Sequence, residues 1–110
     1  MAKDRMKERD IQHLCVEWFR EAYPDYLIFS VPNESAHKRI NYFLYTGLLR
    51  GAPDLCAVVR GKVFFVEMKT KYGKQSEEQV DFQMRCEALG VGYHVVRSLE
   101  QFVDVVETYL

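Results

Sequence analysis

An α/β domain, with a mixed β-sheet flanked by helices on both faces, is what three features of this sequence predict. Amphipathic helical segments stand near both ends. Two apolar runs are joined by Arg60-Gly61, and a helix–strand–helix succession follows residue 76. From Asp4 to Ala22, Ile11, Leu14, Cys15, Trp18, Phe19 and Ala22 recur at helical spacing, and Pro24 follows as a stop. Residues 26–31 (YLIFSV) read as a strand stopped by Pro32, and a short helix is expected around Lys38–Tyr45, between loop residues and the breakers Gly47 and Gly51. The runs 54–59 (DLCAVV) and 62–68 (KVFFVEM) form a hairpin, because glycine supplies the positive φ that a tight turn needs. A helix is predicted from Glu77 to Leu89, with Ser76 as N-cap and Gly90 as stop. A strand over 93–97 and a last helix from Ser98 through Tyr109 complete the order α-β-(α)-β-β-α-β-α.

Bulk properties narrow the possibilities. A chain of 110 residues, 48% hydrophobic and 28% charged, is expected to form a single domain over 1–110 with a real core, not a disordered segment. No apolar stretch reaches the roughly 20 residues of a membrane span, and the charged start MAKDRMKERD is unlike a signal peptide. A cytoplasmic location without membrane attachment is therefore expected. Cys15, Cys56 and Cys86 are odd in number, widely spaced and set among apolar residues, with no CxxC pair and no histidine at ligand spacing, so buried free thiols are expected. A net charge of −1 provides no global field for coating DNA. A local site in which carboxylates hold a cation inside a basic rim is compatible with that total.

The stretch VFFVEMKT, residues 63–70, carries the chemistry. Glu67 and Lys69 interrupt a run that otherwise reads as a buried strand, where an unpaired charge is costly. If Arg60-Gly61 is a two-residue turn, paired positions sum to 121, and Asp54 falls opposite Glu67. Directly opposed residues on one face have Cβ atoms about 4.5–5.5 Å apart. Two carboxylates that close repel unless a proton or a cation lies between them. Strand alternation puts Lys69 on the same face, roughly 6.5 Å further along. Two carboxylates and an amine converging in this way suit a divalent-metal site for phosphodiester hydrolysis, with hard oxygen ligands for Mg²⁺ and a lysine beside the attacking water. The competing reading is a plain ion pair of Lys69 with Asp54 or Glu67 at a strand end.

Two further residues admit two readings each. On a helical projection Glu8 lies on the stripe of Ile11, Leu14 and Phe19, so it can lean toward the core; equally, an acidic residue in a first turn suits the helix dipole. Ser76-x-x-Gln79 is a capping box, yet Gln79 shares a face with Phe82 and Cys86 and can point toward the sheet. Lys38, Arg39, Arg50, Lys71 and Lys74 lie in loops and termini around the site, where they can meet phosphates or remain simply solvated. Asn33 and His37 are candidates to line the same cleft.

GAPDL, FVEMK and SEEQ resemble the PD-(D/E)xK nuclease pattern, and closely that of the VRR-NUC (virus-type replication-repair nuclease) family. Gly51, Pro53, Asp54 and Leu55 match its Gly-x-Pro-Asp-Leu, and Glu67-Met68-Lys69 its Glu-x-Lys. Ser76 and Gln79 match its Ser-x-x-Gln, and Glu8, Ile11 and Gln12 an early Glu-x-x-Ile-Gln. VPNE at 31–34 is similar to the stretch before the family's second element, and the departures, Ala52 and Met68, fall where the family varies. The resemblance spans nearly the whole chain. It implies a restriction-endonuclease-like core and DNA phosphodiester hydrolysis with Mg²⁺ or Mn²⁺ held by Asp54, Glu67 and the Met68 carbonyl. Lys69 would serve the attacking water, with Glu8 and Gln79 in support. Compact single-domain members resemble Holliday-junction resolvases, which implies a homodimer acting on branched or four-way-junction DNA in a prokaryotic or phage-encoded replication-repair setting. The leading expectation is therefore a metal-dependent, structure-selective DNA endonuclease. A non-catalytic DNA-binding or assembly subunit that kept the fold is the alternative, and an RNA or nucleotide hydrolase with the same metal chemistry a third.

Overall fold

Four strands and four helices make up the computed structural model, which describes residues 6–32 and 39–110. They follow the predicted order: α1 (Glu8–Ala22), β1 (Leu27–Ser30), α2 (Ile40–Tyr45), β2 (Leu55–Val59), β3 (Lys62–Met68), α3 (Glu77–Ala88), β4 (Gly92–Val96) and α4 (Leu99–Glu107). The sheet order is β1-β2-β3-β4, antiparallel through β3 and parallel between β3 and β4. A parallel pair cannot be joined by a tight turn, so α3 is the crossover.

The largest difference from the expected boundaries is at the first helix. It begins at Glu8 rather than Asp4: Lys7, its N-cap, is extended and offers no side-chain cap. The other ends shift by one or two residues, where helices and strands fray. Among the described residues, no helix is long and apolar enough to cross a membrane.

One face of the sheet carries the main core. Ile11, Cys15 and Phe19, four residues apart on α1, pack with Phe102 and Val106 of α4 over Leu55, Ala57, Val59, Phe64, Val66, Met68 and Val96. The opposite face belongs to α3, whose Phe82 meets Phe65 edge-on at 5.5 Å and Tyr93 at 6.2 Å between ring centroids. All three cysteines are buried free thiols, as expected, and burial pushes the Cys15 thiol up to about 12.

Candidate active site

The site grows from the β2–β3 hairpin. Arg60 and Gly61 both have positive φ, 53° and 80°, which matches a tight turn to the right-handed twist of the two strands. Pairing runs from Val59↔Lys62 to Leu55↔Val66, every pair summing to 121 without a bulge. The ladder ends one residue short of Asp54. There the Asp54 carboxylate takes over: its Oδ2 accepts a 2.7 Å hydrogen bond from the Met68 N–H, while its own carbonyl accepts one of 2.8 Å from the Val31 N–H. Asp54 is thus held against β3 by its side chain and against the end of β1 by its backbone.

Glu67 is buried, only 2% exposed, on the α3 face of the sheet. Its Oε2 accepts a 3.0 Å hydrogen bond from Gln79 Nε2 and stands 3.8 Å from the Lys69 ammonium. Its Oε1 is buried with no hydrogen-bond partner. Burial pushes the Glu67 carboxyl up to about 8. The Asp54 charge adds to the rise, as does the hydrogen bond that the two carboxyls share once one is protonated; Lys69 pulls the other way and Glu8 adds a smaller push. Lys69 is also buried, and its N–H extends the parallel ladder by donating to the Val96 carbonyl at 2.9 Å.

The two readings of Gln79 turn out to be one. Gln79 Oε1 accepts from the Ser76 N–H at 2.9 Å, Ser76 Oγ accepts from the Gln79 N–H at 3.2 Å, and the amide nitrogen is left to donate to Glu67. The capping box fixes the amide, and the amide fixes the carboxylate. Gly51 brings the partners together. It has φ +84°, and a Cβ there would overlap the carbonyl of Glu78 in the first turn of α3. Only glycine lets the segment that leads into Asp54 lie directly against the helix that carries Gln79.

Glu8 differs from the inward-leaning expectation. Its side chain is exposed in the first turn of α1, although its charge still reaches Glu67. Of the basic candidates, Arg39, Arg50, Lys71 and Lys74 are exposed. The Arg39 guanidinium lies 4.4 Å from the Tyr42 ring centroid, and the Lys71 ammonium 5.5 Å from that of Tyr72. Lys38, Asn33 and His37 lie outside the described residues.

Two neighbours escaped the sequence reading. Arg97, just after β4, donates from Nη1 to the carbonyls of Thr70 at 2.7 Å, Gly73 at 2.8 Å and Lys71 at 3.3 Å, clamping the loop that follows Lys69. Tyr93 is buried beside Phe65, and its hydroxyl accepts from Gln75 Nε2 at 3.3 Å. Burial, then the charge of Glu67, raises the Tyr93 hydroxyl above its ordinary range, which places it within the field of the site. Tyr93 and Arg97 alternate along β4 and its continuation, a pattern the sequence displays. The parallel register that brings them beside Glu67 and Lys69 is not displayed there.

Among the described residues no group of three or more His, Cys, Asp or Glu side chains is assembled for a metal. What stands together is a pair of carboxylates, one with a buried oxygen that has no partner. That donor set is all hard oxygen and small in number, as suits a cation of the Mg²⁺ or Mn²⁺ kind that retains several waters. The buried Glu67 oxygen is the feature such an ion would complete.

No family model matches this chain, and no curated protein does. Two solved structures do. One, a VRR_NUC domain, is 27% identical with a TM-score of 0.68, the match covering 94% of this chain and 97% of that one. The other, a VRR_NUC domain protein, shares 18% identity and the fold, with a TM-score of 0.76 over 96% of this chain and 88% of that one. With the ordered GAPDL, FVEMK and SEEQ motifs set on that fold in the arrangement just described, the chain is similar to VRR-NUC domains both in fold and in the order of its motifs.

Proposed function

We propose that this nuclease of the PD-(D/E)xK type is a Mg²⁺- or Mn²⁺-dependent, structure-selective DNA endonuclease, resembling a Holliday-junction resolvase and acting as a homodimer. The observation that carries the reading is the buried Glu67 carboxylate. One of its oxygens has no partner, a second carboxylate stands beside it, and the Lys69 ammonium is 3.8 Å away. A structural ion pair accounts for Glu67 Oε2 but leaves Oε1 and the crowding with Asp54 unexplained.

Asp54, Glu67 and the Met68 carbonyl would hold the cation. When bound, it lowers the pKa of a coordinated water and offsets charge on the scissile phosphate. The remaining roles fall to the chain itself. Lys69, desolvated and fixed on the strand, orients the attacking water and stabilises the charge that develops on the phosphate. Gln79 keeps Glu67 in one orientation, and the Met68 N–H does the same for Asp54. Glu8 supports the site from its rim. Arg39, Arg50, Lys71 and Lys74, with Lys38, would meet phosphates on either side of the cut. For the homodimer, the support is apolar surface: Leu27, Phe29 and Val63, on the part of the sheet that α3 leaves uncovered, are 61%, 48% and 45% exposed.

Cleavage of labelled four-way junction, flap, single-stranded and duplex DNA, with and without Mg²⁺ or Mn²⁺, tests the reading. Metal-dependent cutting is expected, with paired symmetric incisions in the junction and a loss of roughly 10²–10³-fold in Lys69→Ala. Binding without cutting in either metal would identify a non-catalytic subunit instead, and a monomer by sedimentation would remove the homodimer.

A further inference from the structure

Three residues beyond Lys69 the chain presents Tyr72, 80% exposed, on a loop tied down with unusual thoroughness. Arg97 Nη1 lies within hydrogen-bonding distance of the carbonyls of Thr70, Lys71 and Gly73, and the Gly73 N–H donates back to the Thr70 carbonyl at 3.2 Å. The loop also folds onto the site. A Cβ added at Gly73 would stand 3.1 Å from Thr70 Oγ1 and 3.5 Å from Cδ of Lys69, so the turn lies along the stem of that lysine. Lys69 is in turn tied to β4 through the Val96 carbonyl, one residue before Arg97. Both ends of the loop are therefore fixed to the end of β4, the strand that pairs with β3 beside the site. The chain geometry keeps the Tyr72 Cα within roughly 11 Å of that of Lys69.

A large aromatic ring held exposed by a rigid loop invites an explanation, because burial elsewhere would normally be favoured. Its surroundings indicate the ligand. The Lys71 ammonium lies 5.5 Å from the Tyr72 ring centroid, and Lys74 follows two residues later, exposed. An aromatic face flanked by cations on a fixed support is the arrangement that receives a nucleobase with its phosphates, since every base offers a π-face and the backbone offers negative charge. The geometry points to Tyr72 as a stacking platform for an unpaired base next to the scissile phosphate, with Arg97 as the positioning residue that holds the platform. A base inside an intact duplex is already stacked on its neighbours and cannot lie on the ring. The platform therefore selects strands that are single or splayed at the cut. This assignment rests on the nuclease reading above for its ligand, a DNA strand, and adds the feature of that strand which is recognised.

The test uses binding, so that it does not depend on catalysis. A single-stranded oligonucleotide bearing 2-aminopurine, and its duplex counterpart, are titrated with the protein in EDTA and again in Ca²⁺. Stacking on Tyr72 quenches the probe in the single strand. Tyr72→Ala is expected to remove the quenching and lower single-strand affinity roughly five- to hundredfold, while Tyr72→Phe retains both and duplex affinity stays unchanged in each variant. Arg97→Ala, with the ring intact but its support gone, is expected to lower single-strand affinity in the same direction. Unchanged single-strand affinity in Tyr72→Ala, an equal loss on duplex, or absence of single-strand binding by the unaltered protein overturns the platform. Quenching and binding by a protein that cuts none of the four substrates upholds the platform and overturns the metal-dependent cleavage proposed above.

Discussion

Along β3, Phe64, Val66 and Met68 point to one face of the sheet and Val63, Phe65 and Glu67, with Lys69 just past the strand's end, to the other, and the two sets meet very different surroundings. The first set is closed over by α1 and α4, with every member fully buried in a continuous apolar core. The second meets α3 alone. It runs from exposed Val63 through half-buried Phe65 to two buried charges, one of which has an oxygen without a partner. Strand geometry makes this division of labour available. With a period of two, one strand packs the core with alternate residues and holds unfavourable groups on the residues between. The core face supplies the rigidity, and the α3 face uses it to keep Asp54, Glu67 and Lys69 together against their mutual strain.

The largest effect expected from this contrast is on stability. Phe102 is fully buried between α1 and α4, meeting Trp18 and Phe19 at 5.9 and 6.3 Å between ring centroids. Phe102→Ala should cost about 3–5 kcal/mol by chemical denaturation, while the variant that remains folded keeps its cleavage rate. A large loss of rate at temperatures where it is folded would show that the two faces are not separable.

On the α3 face the sign reverses. Glu67 holds its proton more tightly folded, up to about 8, than at its ordinary value of 4.5, burial being the first cause and Asp54 the second. Its contribution to stability is therefore fully present below pH 4.5 and is lost as the pH rises through about 8. Metal-free protein should lose stability over that window, by a few kcal/mol at the most. Glu67→Gln should remove the slope and melt above the natural sequence near pH 8, while Mg²⁺ or Mn²⁺ should flatten the slope in the unaltered protein. Thermal melts in EDTA across the window check this. A steeper slope in Glu67→Gln would refute the idea that the site is held together against a cost.

Much of this division is legible in the sequence, and the reasons are local. The two-residue turn at Arg60-Gly61 sets the hairpin register as far as Leu55↔Val66, and the bond from the Met68 N–H to the Asp54 carboxylate carries the approach one residue further, to Glu67. What was not legible depends on non-local geometry. Arg97 and Tyr93 reach the site through the parallel pairing Phe65↔Tyr93 and Glu67↔Val95, which the packing of α3 fixes and no turn announces. The exposure of Glu8, as distinct from its nearness to the site, was hidden for a related reason. A helical projection treats every turn as if the core lay beside it, but the first turn of α1 leaves Glu8 exposed while Ile11, one turn on, is buried.

The smallest effect separates capping from positioning at α3. Ser76 and Gln79 form one capping box, but only Gln79 also reaches Glu67. Ser76→Ala removes the hydroxyl that accepts from the Gln79 N–H and should cost about 1 kcal/mol. It leaves the Ser76 N–H to Gln79 Oε1 bond able to hold the amide, so the cleavage rate should stay within a few-fold. Gln79→Met should cost a similar stability through the lost box, yet slow cleavage about 10- to 100-fold, since the carboxylate loses the donor that orients it. Melting curves and single-turnover rates on the two variants give the comparison. Equal rates would make Gln79 a helix cap and nothing more, leaving the orientation of Glu67 to Lys69 and the strand; unequal rates at equal stability would tie the start of α3 directly to the chemistry on β3.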